Sequence, residues 1–418
     1  MKPSSLAVGV CTVAAVSLAM AAGIRAQQPA SVRAFTGARL IDGTDRAPIA
    51  NATIVVRDGR VVAAGAASAV TVPAGAERVA LAGKTVIPGL INAHGHVNTP
   101  DRDLKTYAAY GVTTVFSLGG ETAPHFAARD SQSTPSLNRA RIFVGGPVLA
   151  PTSPADAREQ VAKVQAMKAD LVKIRVDDNL GTTAKMTPDV YRAVIDEAHK
   201  RGLRVAAHLF YLQDAKGLLD AGADFIAHSV RDADISPEVI ALLKARGICV
   251  CPTLMREVST FVYESTPDFF ADPFFLKHAD MQQVNQLKEP ARQEAVRKST
   301  SAQRYKAALQ VANRNMKKLS DSGVTIAMGT DTGPAGRFQG FFELQELELM
   351  AKAGLTPKQV LQSATRDAAR CWRVDKDLGT LEAGKWADFV VLDADPLVDI
   401  ANTKKISAVY IAGNQVPR

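Results

Sequence analysis

Histidine, cysteine and tryptophan are all scarce in this chain. Its 418 residues include seven histidines, four cysteines and two tryptophans, and aromatic residues make up only 6%. Four cysteines are too few for the disulfide framework on which small secreted folds depend. A chain of this length instead buries a large hydrophobic core. We therefore expect a globular protein with room for a barrel-sized domain and a smaller one.

Blocks of like charge and long internal hydrophobic runs are also missing. The formal net charge is +8, but the lysines and arginines are scattered, so we predict no nucleic-acid partner. The one apolar stretch, 6–22, follows Lys2 and precedes Ala26, which is typical of a cleaved export signal. We predict a signal peptide over 1–26 and a periplasmic or secreted protein without stable membrane insertion. An uncleaved anchor is the alternative.

The cysteines do not require a disulfide. Cleavage of the signal would remove Cys11 and leave Cys249, Cys251 and Cys371. Cys249 and Cys251 alternate with branched aliphatic residues, so both face one side of a strand. We predict that they are small buried residues, because no zinc-ligand partners lie nearby.

The two ends of the chain are rich in short strands, whereas the middle alternates strands with helices. An Asp58-Gly59 pair between apolar runs predicts a hairpin near the start. We predict a small β-sandwich built from 27–87 and 371–418, around an α/β domain over 88–370. That domain has eight candidate strands: 86–97, 113–118, 141–145, 171–176, 204–210, 224–230, 248–254 and 325–330. Helix starts at Thr187-Pro188, Ser236-Pro237 and Thr356-Pro357 separate some of them. Eight such units predict a (β/α)8 barrel.

Two histidines one residue apart end the first barrel strand, at His94 and His96. Side chains at positions i and i+2 of a strand point to the same face, so the two imidazoles lie side by side. Imidazole nitrogens are common metal ligands. We interpret the pair as metal ligands, and a pair of core histidines is the alternative.

Other polar residues lie in further strands towards the rim where barrel active sites form. Lys173 lies inside strand four, and His208, His228 and Asp331 end strands five, six and eight. Burial disfavours the charged form of a lysine, and the neutral amine can add carbon dioxide to become a carbamate that bridges two metal ions. The alternative is an ion pair of Lys173 with Asp177, Asp178 or Asp331.

These motifs resemble the amidohydrolase superfamily of metal-dependent hydrolases. The segment 88–96 is similar to its first-strand signature. The lysine in strand four, the histidines in strands five and six, and Gly329-Thr330-Asp331 match its two-metal subtype with a carboxylated lysine. The segment 379–392 is similar to the family's return to the small β-sandwich. Within the superfamily the chain looks most like the imidazolonepropionase-related group, which includes secreted dipeptidases and N-acyl amino acid hydrolases.

The resemblance implies a two-metal centre. One ion would be held by His94, His96 and Asp331, the other by His208 and His228, and the carbamate of Lys173 would bridge them. A hydroxide between the ions would attack the substrate, and Asp331 would act as general base and then general acid. Zinc suits these ligands best, although manganese, cobalt and iron also fit.

Hydrolysis of a C–N amide bond in a dipeptide or N-acyl amino acid is the expected reaction. Deaminases of the superfamily carry a glutamate three residues after the strand-five histidine, where this chain has Tyr211, and they do not need Lys173. The alternatives are hydrolysis of a cyclic amide such as an imidazolone, and a non-catalytic metal- or ligand-binding protein. The expected partner is a small amide or short peptide, and a homo-oligomer is an open possibility.

Residues beyond the ligands offer candidate substrate contacts. Tyr211, Ser229 and Arg231 follow the metal histidines and are placed to meet a substrate carboxylate. Arg231 has an alternative, which is an ion pair with Asp232 or Asp234. The connection 256–300 holds six aromatic residues and follows a barrel strand, so it is either a lid over the active site or a small core of its own.

Overall fold

The strands belong to two architectures, a mixed sheet made from both chain ends and a parallel barrel between them. The computed structural model describes residues 32–418. In chain order the strands are β1 (Val32–Leu40), β2 (Ile49–Arg57), β3 (Arg60–Ala66), β4 (Glu77–Ala80), β5 (Thr85–Pro88), β6 (Leu90–Gly95), β7 (Val112–Ser117), β8 (Arg141–Val144), β9 (Val148–Leu149), β10 (Val172–Arg175), β11 (Val205–His208), β12 (Phe225–Ala227), β13 (Cys249–Cys251), β14 (Phe389–Leu392), β15 (Ile406–Ile411) and β16 (Asn414–Gln415).

The helices lie mostly between the barrel strands. They are α1 (Pro100–Ala109), α2 (Ala123–Asp130), α3 (Pro154–Ala166), α4 (Pro188–Lys200), α5 (Leu212–Ala221), α6 (Pro237–Arg246), α7 (Leu254–Phe261), α8 (Pro273–Leu276), α9 (Met281–Leu287), α10 (Pro290–Lys298), α11 (Thr300–Asp321), α12 (Phe341–Lys352), α13 (Pro357–Ser363) and α14 (Arg366–Cys371). Short 3-10 turns occupy Val262–Glu264, Asp268–Ala271 and Ile400–Lys404. The three helix starts predicted from Thr-Pro and Ser-Pro pairs are confirmed at α4, α6 and α13.

The chain ends form one sheet, in the order β16-β15-β14-β5-β1-β2-β3 with β4 beside β1. The predicted hairpin joins β2 to β3, and Asp58 and Gly59 have the positive φ values that a tight two-residue turn requires. The rings of Phe35, Phe389 and Tyr410 pack within 4.9 Å of one another at the centre of this sheet's core. The predicted contribution of both ends is confirmed, while the boundaries 27–87, 88–370 and 371–418 stay predictions.

The barrel consists of two parallel sheets, β6-β7-β8 and β9-β10-β11-β12-β13. Backbone hydrogen bonds join them, because Asp170 N donates to Val144 O at 2.8 Å on one side. On the other side Ala327 N donates to Val250 O, and Ala93 N donates to Met328 O. The closed arrangement confirms the predicted barrel and brings the C-terminal ends of the strands to one rim.

The eighth strand of the sequence prediction, 325–330, is not a regular strand in the structure and is called the eighth segment. Only Ile326 forms a β-bridge, opposite Val250. The N–H groups of Thr330 and Asp331 both donate to the same carbonyl, that of His94, at 3.0 and 2.6 Å. Two successive donors on one acceptor break the alternation of a strand ladder. The segment therefore turns at the point where it delivers Asp331 to the rim.

A disulfide joins a barrel strand to a later helix, contrary to the prediction for one cysteine. Cys249 of β13 is bonded to Cys371 at the end of α14, whereas Cys251 is a buried free thiol as expected. The prediction that Cys249 needs no disulfide is wrong, because α14 folds back against β13 across 122 residues of sequence. The neighbouring Trp372 stacks on Phe116 and donates its indole N–H to Ala93 O.

Replacing both Cys249 and Cys371 with serine is expected to destabilise the protein by about 2–4 kcal/mol, because the bond closes a long loop. Urea unfolding of the double variant and the unreduced parent measures this difference. A reductant should lower the unfolding midpoint of the parent and leave that of the double variant unchanged. Equal midpoints for the two proteins without reductant would contradict the expectation.

The connection after β13 is mostly helical and contains a small core of aromatic side chains. Phe270 and Phe275 are buried, and together with Phe269 they pack against Phe338, Phe341 and Phe342 at the start of α12. For these three rings the structure favours the small core over direct substrate contact. Within residues 32–418 no helix has the length and hydrophobicity needed to cross a membrane. The predicted signal peptide, 1–26, lies outside the described residues.

Candidate metal centre

The six residues predicted as metal ligands lie together at the C-terminal rim of the barrel. The ring of His228 is 4.7 Å from that of His94 and 4.1 Å from that of His208, measured between centroids. Lys173 Nζ lies 3.2 Å from His94 Nε2. The remaining two ligand candidates, His96 and Asp331, complete the cluster beside His94. All six therefore belong to one continuous set of contacts.

Three of the six residues form a compact ligand set. One donor atom from each of His94, His96 and Asp331 lies within 4.8 Å of the others. His96 Nδ1 faces the carbonyl of Gly119 at 3.1 Å, and a carbonyl can only accept, so this nitrogen carries a hydrogen. His96 Nε2 lies 2.9 Å from Asp331 Oδ1, a contact that either a hydrogen on this nitrogen or a cation between the two atoms satisfies. A divalent metal ion fits this donor set.

Two glycines allow the eighth segment to approach the histidines this closely. A Cβ on Gly329 would lie 2.7 Å from the backbone nitrogen of His94, and one on Gly333 would lie 2.7 Å from the carbonyl oxygen of His96. Asp331 between them has a φ of 58°, and His228 has a φ of 118°. Non-glycine residues in this region are strained and cluster at functional sites. The backbone is thus shaped around the ligand atoms.

His208 and His228 contact neighbouring side chains through opposite ring nitrogens. Thr253 Oγ1 donates to Pro252 O, so it must accept from His228 Nδ1 at 2.6 Å. This leaves His228 Nε2 with its lone pair free, and that atom is buried without a hydrogen-bond partner. His208 has its contact on the other nitrogen, because its Nε2 lies 2.7 Å from Asp177 Oδ2, an ion-pair distance without the alignment of a regular hydrogen bond.

The electrostatic setting keeps these imidazoles neutral, as metal binding requires. Burial lowers the pKa of His208 to about 3, against the opposing influence of Asp177. Burial also holds the pKa values of His94 and His228 well below their usual range, with the charge of Lys173 contributing to both. Burial would raise the pKa of Asp331, but Arg337 and the neighbouring histidines outweigh it and hold that pKa well below its usual value.

Lys173 is buried and has no carboxylate within ion-pair distance among the described residues. Its predicted alternative partners are engaged elsewhere: Asp177 with His208 and Arg175, Asp178 with Tyr211, and Asp331 with His96 and Arg337. Burial lowers the pKa of Lys173 to about 8, although Asp331 and other negative groups oppose this. A substantial fraction of the amine is therefore neutral near pH 8.

The three residues predicted to contact a substrate are buried or hydrogen-bonded to other parts of the protein. The Tyr211 hydroxyl donates to Asp178 Oδ1 at 2.8 Å at the edge of the rim. Ser229 and Arg231 are each only 2% exposed. Arg231 pairs with Glu257 at 3.0 Å and donates to two backbone carbonyls, and neither Asp232 nor Asp234 is its partner. Its guanidinium also lies over the ring of Phe210.

Two residues that contact the candidate ligands, Arg337 and Asp177, are not identified as such from the sequence. Arg337 donates to Asp331 Oδ2 at 2.5 Å and to Ser259 Oγ at 3.1 Å. It comes from the connection between the eighth segment and α12, which has no recognisable motif. The sequence indicates Asp177 only as an alternative partner of Lys173, although its position two residues after β10 places it at the rim. Neither contact can be derived from spacing within one strand.

The chain is similar in sequence and in structure to known proteins. Residues 85–416 match the model of the amidohydrolase family. A candidate prolidase from Bifidobacterium longum has a similar structure, with a TM-score of 0.77, 27% identity and coverage of 93% of this chain and 95% of that chain. Imidazolonepropionase from Mycolicibacterium smegmatis is 25% identical over 84% of this chain and 86% of its own length. Ochratoxinase from Aspergillus niger is 27% identical over 59% of this chain and 44% of its own length.

The chain belongs to the amidohydrolase family. Its match to an uncharacterised protein of Mycobacterium tuberculosis, at 28% identity, covers 44% of this chain and about half of that protein, 54% of its length. The family and the His94-His96-Asp331 group together indicate a hydrolase with a divalent metal ion.

Proposed function

We propose that this protein is a two-metal amidohydrolase that cleaves the C–N bond of a dipeptide or an N-acyl amino acid. The observation that supports it most strongly is the arrangement of potential ligand atoms at the rim. His94, His96 and Asp331 bring their donor atoms within 4.8 Å of one another, and His228 Nε2 is buried with no partner. Leaving such atoms without a cation is costly, and two divalent ions would satisfy them.

Bound divalent ions supply a water of lowered pKa and a Lewis acid for the substrate carbonyl. The chain itself supplies the proton transfers. Asp331 accepts the proton that the attacking water loses and passes it to the leaving nitrogen, because an amine leaves poorly unless protonated. Arg337 keeps the Asp331 carboxylate ionised and fixed in orientation through its contact with Oδ2. Zinc is the proposed metal because imidazole and carboxylate ligands suit it.

Lys173 is proposed to be carboxylated. Its neutral amine attacks carbon dioxide, a new N–C bond forms, and the amine releases a proton. The product would be an anion with two oxygens that could ligate metal ions held by His94, His96 and Asp331 and by His208 and His228. The burial of Lys173, its lowered pKa and the lack of a carboxylate partner in the described chain all favour this modification.

Hydrolysis of a cyclic amide is a second candidate. The similarity to imidazolonepropionase extends over 84% of the chain, and the His94-His96-Asp331 set is complete without Lys173. A single ion there would suffice for such a reaction. The buried and unpartnered Nε2 of His228 favours the two-metal proposal, since a single-ion site leaves that atom unexplained.

Export is also proposed. The signal pattern over 1–26 directs it, and the Cys249–Cys371 disulfide suits an oxidising compartment. The proposed substrates are therefore amides or short peptides outside the cytoplasm.

A substrate assay with metal removal tests the proposed activity. The purified protein is incubated with Xaa-Pro and other dipeptides, N-acyl amino acids and an imidazolone, and released amine or ring-opened product is measured. We expect cleavage in the dipeptide or N-acyl group, loss of it after chelation and dialysis, and recovery with zinc, cobalt or manganese. Full activity after verified metal removal would contradict the proposal. Hydrolysis of the imidazolone alone would favour the second candidate, and metal binding without any hydrolysis would indicate a binding protein.

A further inference from the structure

Asp177 is a buried carboxylate that faces one of the proposed metal ligands. Its side chain is 2% exposed, and its Oδ2 lies 2.7 Å from His208 Nε2. Its other oxygen, Oδ1, accepts from the backbone N–H of Asn179 at 2.9 Å and from Arg175 Nη2 at 3.2 Å. A buried carboxylate is costly unless its oxygens have partners. The hydrogen bonds satisfy Oδ1, whereas Oδ2 has His208 Nε2 at ion-pair distance without the alignment of a regular hydrogen bond. The carboxylate is therefore fixed before any ligand arrives.

The contact determines which nitrogen of His208 is available. An ionised carboxylate can only accept a hydrogen bond, so a neutral His208 beside it carries its hydrogen on Nε2 and its lone pair on Nδ1. His228 has the opposite arrangement, because Thr253 holds its Nδ1. The two rings meet edge to face at 4.1 Å. Each histidine thus has one nitrogen in close contact with another side chain, Nδ1 in His228 and Nε2 in His208, which leaves the opposite nitrogen for a ligand.

We infer that Asp177 is a positioning residue for the second metal ion, which holds His208 in the tautomer and orientation that present Nδ1 to that ion. The inference rests on the proposed function, since it assumes an ion between His208 and His228. A carboxylate bound to the far nitrogen of a ligand histidine also makes the near nitrogen a stronger donor. Thr253, a neutral hydroxyl, cannot have this effect on His228.

The first test measures how tightly the protein and its variants bind the second metal ion. Zinc binding to the full-length mature protein is measured by competition with a chromophoric chelator, which resolves two successive dissociation constants. We expect Asp177→Asn to weaken one of them about 10-fold and Asp177→Ala about 100-fold, the range for such partners of ligand histidines. His208→Ala should weaken the same step more strongly and thus identify it. Asp220→Asn, an exposed carboxylate that pairs with Lys216 on α5, is the control for loss of charge.

Unchanged affinities at both steps in Asp177→Asn and Asp177→Ala would overturn the inference. If the parent binds two ions and the Asp177 variants do so equally well, the proposed function stands and only the positioning role fails. If the parent binds no metal at all, the proposed function fails as well. The cobalt-substituted protein adds a readout that folding alone does not affect, because loss of the Asp177 contact should change the visible absorption of one cobalt ion.

Histidine tautomers in the metal-free protein give an independent measurement, which applies even where the variants fold poorly. With ¹⁵N-labelled histidine, the seven histidines are few enough to assign by single substitutions. We expect His208 to be protonated on Nε2 and His228 on Nδ1 in the parent. In Asp177→Asn, His208 should shift towards a mixture of tautomers while His228 keeps its own. Protonation of His208 on Nδ1 in the parent would overturn the inference.

Discussion

Asp331→Asn is expected to lower kcat/KM by about 10²- to 10⁴-fold, the contribution of a general acid–base group. The amide keeps the size of the side chain and one oxygen ligand, but it cannot take up the proton of the attacking water. It also loses the ion pair between Arg337 and Oδ2. Steady-state kinetics under saturating zinc separates the lost proton transfer from weakened metal binding, because the first ion is then bound in both proteins.

The matched control for this variant is Asp220→Asn, which removes a carboxylate on the surface of α5. Its kcat/KM should equal that of the parent. The expected loss should appear in kcat rather than in KM, since Asp331 is proposed to act on the reacting atoms. Near-parental kcat for Asp331→Asn with both ions bound would contradict the role of Asp331 as the proton acceptor.

Lys173→Met is expected to lower the metal content from two ions per chain to one and to reduce kcat/KM at least about 100-fold. Methionine fits the buried space of the lysine stem but cannot become a carbamate. Loss of one ion removes several kcal/mol of transition-state stabilisation, and each 1.36 kcal/mol corresponds to a factor of ten in rate. Elemental analysis of the dialysed protein and steady-state kinetics measure the two effects.

Lys163→Met is the control, because Lys163 is an exposed residue of α3 whose partner is Glu159. It should retain two ions and full activity. The stability of Lys173→Met should be close to that of the parent, since the replaced amine is buried without an ion-pair partner in the described chain. Two tightly bound ions in Lys173→Met would show that the lysine does not bridge them.

The sequence was sufficient to predict the barrel and the ring of polar residues on its rim. Strand ends are visible as apolar runs that close on His94, His208 or His228, and parallel strands in a barrel bring such ends together. Lys173 lies inside β10 and follows the same reasoning. Its position is predictable because one strand and its direction decide where each side chain points. Asp331 reaches the same rim through a turn, which strand periodicity does not describe.

Features that depend on contacts between distant segments were not predictable in this way. The disulfide joins Cys249 to Cys371 because α14 folds back on β13, and no local pattern describes that approach. Arg231 was expected near Asp232 or Asp234 but pairs with Glu257 of α7. The partners of ligand side chains, such as Asp177 for His208, follow from packing between neighbouring strands rather than from spacing within one.

The metal content of the purified parent protein, determined together with the chemical state of Lys173, is the most direct test of the central claim. Elemental analysis gives the number of ions per chain, and ¹³C NMR after growth or incubation with labelled bicarbonate detects a carbamate carbon. We expect two divalent ions and a carbamate signal that disappears in Lys173→Met. One ion per chain with an unmodified Lys173 would contradict the two-metal mechanism and the roles proposed for Lys173, His208 and Asp177.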